Sequence, residues 1–209
     1  MHKLGPAIAG CLLLATHTGC AGQPVRDVAS SNQQTADTMD DSSTRVAETA
    51  TRLHNWNPAD VVVTALPDGS AGGCELFGAY SNNALSASTK VFAVIDGERV
   101  IARGEPDALQ QVLDACGDAA SPLLWAQAVS AFAEGIRAGR VVTGEEQISS
   151  AAHQGAVERG GYDFHPPRLA ADGAVEFFML DMPGGELFAV RAQRARDGSI
   201  AVDARPAGG

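Results

Sequence analysis

Hydrophobic and polar positions follow different periods in different stretches of this chain, and those periods divide it. Leu4 to Ala15 is largely apolar and contains the dense run Cys11-Leu12-Leu13-Leu14-Ala15. Ala21 to Ser43 is almost free of large apolar residues and rich in Ser, Thr, Gln, Asn and Asp. From Asp60 to Arg205 short β-prone runs return, punctuated by Asp-Gly at 68–69, 96–97, 172–173 and 197–198. Asp-Gly tolerates the positive φ angles of tight hairpin turns, so each dipeptide predicts a turn beside a strand. The strongest instance is Lys90 to Arg103, KVFAVI-DG-ERVIAR, which reads as a two-stranded hairpin.

Helical spacing appears in four places. Val46, Ala50 and Leu53 predict a short helix over Thr44 to Asn55, with Pro58 beyond its end. Pro106 to Cys116 places Leu109, Val112, Leu113 and Cys116 at i, i+3, i+4, i+7, and Gly117 supplies a stop. Ser121-Pro122 reads as cap and first residue of a further helix with the stripe Trp125, Val129, Phe132 and Ile136. Ala128, Ala131 and Gly135 flank that stripe and permit close approach of another element, so it reads as packed core, not a cofactor site. Thr143-Gly-Glu-Glu146 fits a capping box for a helix to about Glu158, ended by Gly160-Gly161.

Tyr162 to Ala204 alternates β-prone runs with turns at 172–173, 183–185 and 197–198, the pattern of a four-stranded antiparallel meander. Strands, then helices, then strands, without regular βαβ alternation, predict an α+β fold: a mostly antiparallel sheet built from hairpins with about three helices packed on it. No internal repeat is apparent. The expected globular domain is 44–205, with 206–209 a frayed tail.

The N-terminal pattern has a separate meaning. A basic start at Lys3 followed by about a dozen apolar residues is the order of a secretory signal, and it is too short for a bilayer core that needs about 20. Thr16-His17-Thr18-Gly19-Cys20 resembles a bacterial lipobox, with Gly in place before the Cys and His17 where a Leu-like residue is usual. The resemblance implies a signal peptide over 1–19 and a lipidated Cys20 at the mature N-terminus. Signal-peptidase cleavage after Ala21 is the alternative, and Ile8-Ala9-Gly10-Cys11 matches the box more closely but leaves too little room for a signal. Residues 20–43 then form a disordered tether, whose composition cannot offset its ordering entropy. As a flexible coil it would span about 25–30 Å.

Charge and cysteine count narrow the function. The 209-residue chain carries a net charge of −10, which opposes nucleic acid and acidic membrane surfaces. With Cys11 and Cys20 assigned to export, Cys74 and Cys116 remain, an even pair in an oxidising compartment that predicts a disulfide. Closing a loop of about 43 residues would stabilise the fold by roughly 4 kcal/mol. The competing reading makes Cys74 a nucleophile with His54, His153 or His165 as its base.

Other chemistry is sparse. Glu146, Ser150 and His153 fall on one helix face in the wrong order for a triad, which needs His between the other two. Asp163 and His165, at i, i+2 on a strand, are weak candidates for two metal ligands without a third. Glu176 and Asp181 bracket Phe177-Phe178-Met179-Leu180, and their odd separation puts them on opposite faces. No catalytic residue and no cofactor is assigned. The expected function is that of an exported, non-catalytic envelope lipoprotein. It would be held to a membrane by its lipid and bind another envelope or secreted protein in an assembly, inhibitor or immunity role. A hydrolase using His153, Asp163 and His165, or a small-ligand module with a pocket between sheet and helices, is the alternative.

Overall fold

A computed structural model of the chain describes residues 32–83, 89–117, 120–148, 150–181 and 185–208. The expected signal peptide, Cys20 and the first part of the expected tether lie outside the described residues. The elements are α1 (Asn32–His54), β1 (Val61–Ala71), β2 (Cys74–Ser81), β3 (Lys90–Ile95), β4 (Arg99–Ala102), α2 (Ala108–Cys116), α3 (Pro122–Phe132), β5 (Gly139–Val142), α4 (Ala151–Arg159), β6 (Arg168–Leu169), β7 (Val175–Asp181), β8 (Leu187–Arg194) and β9 (Ile200–Pro206). The fold is α+β with two antiparallel sheets, ordered β1-β2-β3-β4 and β5-β7-β8-β9, with β6 also paired to β7.

The layers run α1, first sheet, α2 with α3, second sheet, α4. Strand alternation explains the first sheet: Cys74, Leu76, Ala93 and Ile101 face α2 and α3, while Phe77, Ala79, Phe92, Val94 and Ala102 face Val46 and Ala50 of α1. In the second sheet Val175, Phe177, Met179, Val190 and Ala192 face α3, and Phe178, Leu180 and Leu187 face Val157 of α4. Helix α3 therefore packs on both sheets: Leu124, Ala128 and Phe132 turn to the first, Ala126 and Val129 to the second. A helix apolar on all sides belongs inside. The expected single stripe is thus only half of its buried surface. It also ends at Phe132, short of Ile136, where the Arg103 guanidinium donates to Ala131 O at 2.5 Å, Ala133 O at 3.2 Å, and Ile136 O. The Ala131 and Ala133 carbonyls are open groups of the helix C-terminus, where a cation is favoured, and Ile136 O belongs to the turn that follows.

Three local expectations change. Helix α1 starts at Asn32, twelve residues before the predicted Thr44, so residues 32–43 are helical where a disordered tether was expected. Apolar periodicity marked only the packed turns, but an established helix propagates through polar residues at little cost. Ser42 continues the buried row of Val46 and Ala50 by one turn and donates to Glu75 Oε2 at 2.8 Å. Asp68-Gly69 is not a hairpin turn but a bulge inside β1, where the register to β2 shifts between Ala65 and Ser70. The turn itself falls at Gly72-Gly73, where a Cβ on Gly72 (φ 55°) would lie 2.7 Å from Cys116 O.

Finally, the predicted third helix is split. Thr143 and Gln147 exchange hydrogen bonds around a single 3₁₀ turn, Glu145–Ile148, and α4 begins separately with Ser150 as N-cap, accepting from His153 N at 3.2 Å. Ser is among the best N-cap residues, so Ser150 starts a helix instead of lying within one. The row of Glu146, Ser150 and His153 on one helix face does not exist.

Candidate functional site

The second sheet carries a concavity of about 480 Å³ on the face turned away from α3, and its walls follow from strand register. Arg168 pairs with Glu176, Glu176 with Arg191, and Arg191 with Asp203, one rung across β6, β7, β8 and β9. Side chains directly opposite on neighbouring strands share a face, so the rung reads plus, minus, plus, minus. Arg168 donates to Glu176 Oε2 from Nε at 3.1 Å and Nη2 at 2.9 Å, and Arg191 Nη1 reaches Glu176 Oε1 at 2.8 Å. Arg191 also pairs with Asp172, and Arg205 Nη2 stands 2.6 Å from Asp203 Oδ2.

The charges are internally balanced. Hydrogen bonds from Arg168, with its charge and that of Arg191, hold the Glu176 carboxyl below the usual glutamate range. The Ala174 N–H, followed by Arg191, lowers Asp172 in the same way, and Asp203 raises Arg205. Such a rung stabilises a solvent-facing sheet and leaves Glu176 ionised between two arginines. A general acid needs a raised pKa, and Glu176 has the reverse.

The other wall is the segment after α4. Tyr162, Phe164 and His165 gather around Phe178, with ring centroids 5.9, 5.8 and 5.3 Å away. This segment was expected to be a strand presenting Asp163 and His165 to one side. It is irregular, because Pro166 and Pro167 offer no N–H to a ladder, and pairing begins only at Arg168. Asp163 and His165 both line the concavity, and His165 Nδ1 lies 2.9 Å from Pro166 O. Among the described residues no group of three or more His, Cys, Asp or Glu is placed to hold a metal ion.

The remaining candidates are dispersed. His153 Nε2 lies 2.8 Å from Gly185 O, beyond the far end of β7. Asp181 is buried, accepts from Glu186 N at 2.7 Å and lies 3.4 Å from Arg137 Nη1. Cys74 and Cys116 stand at disulfide distance, Cα atoms 4.9 Å apart, linking β2 to the end of α2. Both are buried, and Cys74 faces Cys116 at disulfide distance. His54 is instead part of an aromatic group, 4.8 Å from the Trp56 ring, and burial followed by the charge of Lys90 lowers its pKa.

A second, smaller hollow of about 190 Å³ lies on the other side of β6 and was not anticipated. Leu169 is 64 % exposed there, beside Pro122, Val175 and Trp125, and the Arg194 guanidinium sits 6.0 Å from the Trp125 ring centroid. Strand β6 thus sends Arg168 to the charged concavity and Leu169 to the second hollow. The charged rung had a sequence signal: reflection about Asp172, the 183–184 midpoint and Asp197 maps Arg168 to Glu176, Arg191 and Asp203 in turn. The hollow had none, because Trp125 and Leu169 meet only through packing of α3 on the second sheet. No protein-family model matches this chain, and neither a curated protein nor a solved structure is similar to it.

Proposed function

We propose that this chain is an exported, non-catalytic envelope lipoprotein, tethered through Cys20, that binds another protein in the periplasm or at the cell surface. The observation that carries the binding reading is the hollow at β6. Trp125 and Arg194 are of the residue types enriched in interface hot spots, and exposed Leu169 adds apolar surface beside them. The disulfide-distance pair Cys74–Cys116 supports export, because such bonds persist in oxidising compartments. The net charge of −10 favours a basic partner by raising its rate of encounter.

In-envelope cross-linking tests this reading. The wild type should yield a stoichiometric adduct that Leu169→Asp loses while remaining folded. An adduct unchanged by Leu169→Asp refutes the hollow as the site. Fatty-acid label should be incorporated by the wild type and absent from Cys20→Ser; label retained in the variant overturns the assignment of Cys20.

A small-ligand module is the second reading, favoured by the concavity of about 480 Å³, a size typical of ligand pockets. Replacing His165 with Ala separates the two: ligand binding in the concavity would fall, and the protein adduct at Leu169 would persist.

A further inference from the structure

Strand β9 ends the second sheet, and among the described residues no strand lies beyond it. Its register to β8 determines which of its backbone groups remain outward. Ala207 N donates to Leu187 O and Ala195 N to Ser199 O, each at 2.8 Å, so the odd-numbered residues of β9 form the hydrogen-bonded pairs with β8. In an antiparallel ladder the intervening residues direct N–H and C=O the other way. Ile200, Val202 and Ala204 therefore present both groups at the outer edge, and Pro206 presents a carbonyl alone.

We infer that this edge pairs with β9 of a second copy of the chain, antiparallel about a two-fold axis at Ala204. Charge complementarity selects this occupant and this register. A two-fold axis perpendicular to the sheet keeps like faces together, so only registers with an even residue sum are open. With Ala204 opposite itself, Asp203 faces Arg205 of the second copy and Arg205 faces its Asp203, which joins the contact the two make within each chain into a group of four alternating charges. Shifting to the register centred on Asp203 sets two aspartates opposite each other, and the register centred on Val202 places Asp203 against an alanine.

In this register Ala204 exchanges two hydrogen bonds with its counterpart and each Val202 N–H donates to a Pro206 carbonyl, while each Val202 carbonyl, opposite the N–H that proline lacks, keeps water as its partner. The rung Arg168–Glu176–Arg191–Asp203 then gains Arg205 of the second copy as a fifth alternating charge. Because Asp203 lines the concavity, the second copy also adds a charge to its rim. The pairing is independent of the lipid anchor and of the partner proposed for the Leu169 hollow.

Sedimentation equilibrium of the full chain in detergent tests the dimer, with circular dichroism as the check on folding. The wild type should be a dimer at micromolar concentration. Ala204→Pro removes an outward N–H that has no role in the β8 ladder, and the variant should be a folded monomer. Asp203→Arg should weaken association by roughly tenfold, since two like-charge pairs replace two opposite ones. The double variant Asp203→Arg/Arg205→Asp should restore it. A monomeric wild type, or a dimer unaffected by both Ala204→Pro and Asp203→Arg, overturns the inference. Should Ala204→Pro fail to fold, the charge reversal and its restoration decide alone, and a double variant as weak as the single one counts against the pairing.

Discussion

The two sheets share a buried layer between them, where α2 and α3 lie, and differ in what covers their outer faces. The first sheet is apolar on both sides, because α1 contacts all four of its strands and buries Phe77, Ala79, Phe92, Val94 and Ala102. The second is apolar on the α3 side but divided on the other, with Phe178, Leu180 and Leu187 covered and Glu176, Arg191 and Asp203 open. Helix length accounts for much of this. At about 1.5 Å per residue, α1 is long enough to cross a sheet, and the nine residues of α4 reach only about 13 Å. Strand positions beyond α4 meet water, and paired charges satisfy them there. The concavity exists where a helix runs out.

The contrast can be broken most severely at the covered face. Phe77→Ala should cost about 3–5 kcal/mol in urea unfolding, as expected for a fully buried aromatic under α1. A loss near 1 kcal/mol would mean that α1 packs loosely and that the two outer faces are more alike than described.

Next in size is the Cys74–Cys116 link, which ties the first sheet to the helical layer. Reduction, or Cys74→Ser with Cys116→Ser, should cost about 2–4 kcal/mol. Unfolding midpoints compared with and without reductant measure it. Equal midpoints would indicate that the thiols are not bonded in the isolated protein.

The open face should respond less, and to pH. Glu176→Gln should cost about 1 kcal/mol at neutral pH, because cross-strand pairs open to water are worth little. Its folded pKa is depressed by Arg168 and then Arg191, so its contribution is complete above the ordinary glutamate pKa and is lost as pH falls through the folded value. Wild type and Glu176→Gln should therefore converge in stability at acid pH. A gap that widens on acidification would contradict the assigned charge pairing. Smallest of all, Leu169→Asp should leave stability within about 0.5 kcal/mol of wild type while removing apolar surface from the β6 hollow.

Elements carried by local chemistry were legible in the chain. The Lys90–Arg103 hairpin forms around Asp96-Gly97, both at positive φ, and Ser121-Pro122 caps α3 as read, with Ser121 accepting from Leu124 N at 3.1 Å. Cys74 and Cys116 meet because one begins a strand and the other closes the helix packed on it. Of the candidate site, Asp163 and His165 were named from sequence and do line the concavity, though not as strand neighbours. The rest was hidden where two local signals competed. Ser150, read as a residue within one helix, caps the next, and the turn read at Asp68-Gly69 falls at Gly72-Gly73.

Taken alone, the sequence determined the α+β class, the antiparallel pairing, the turns at 96–97, 172–173 and 197–198, and the cysteine pair, all of which depend on neighbouring residues or simple periodicity. Only the tertiary structure decided that the strands divide into two sheets, that α3 is shared between them, and that α4 leaves part of one face open. Those outcomes depend on which surfaces are left to bury once the local elements exist. Periodicity tells a residue which face of its own element it occupies, but not what that face will meet.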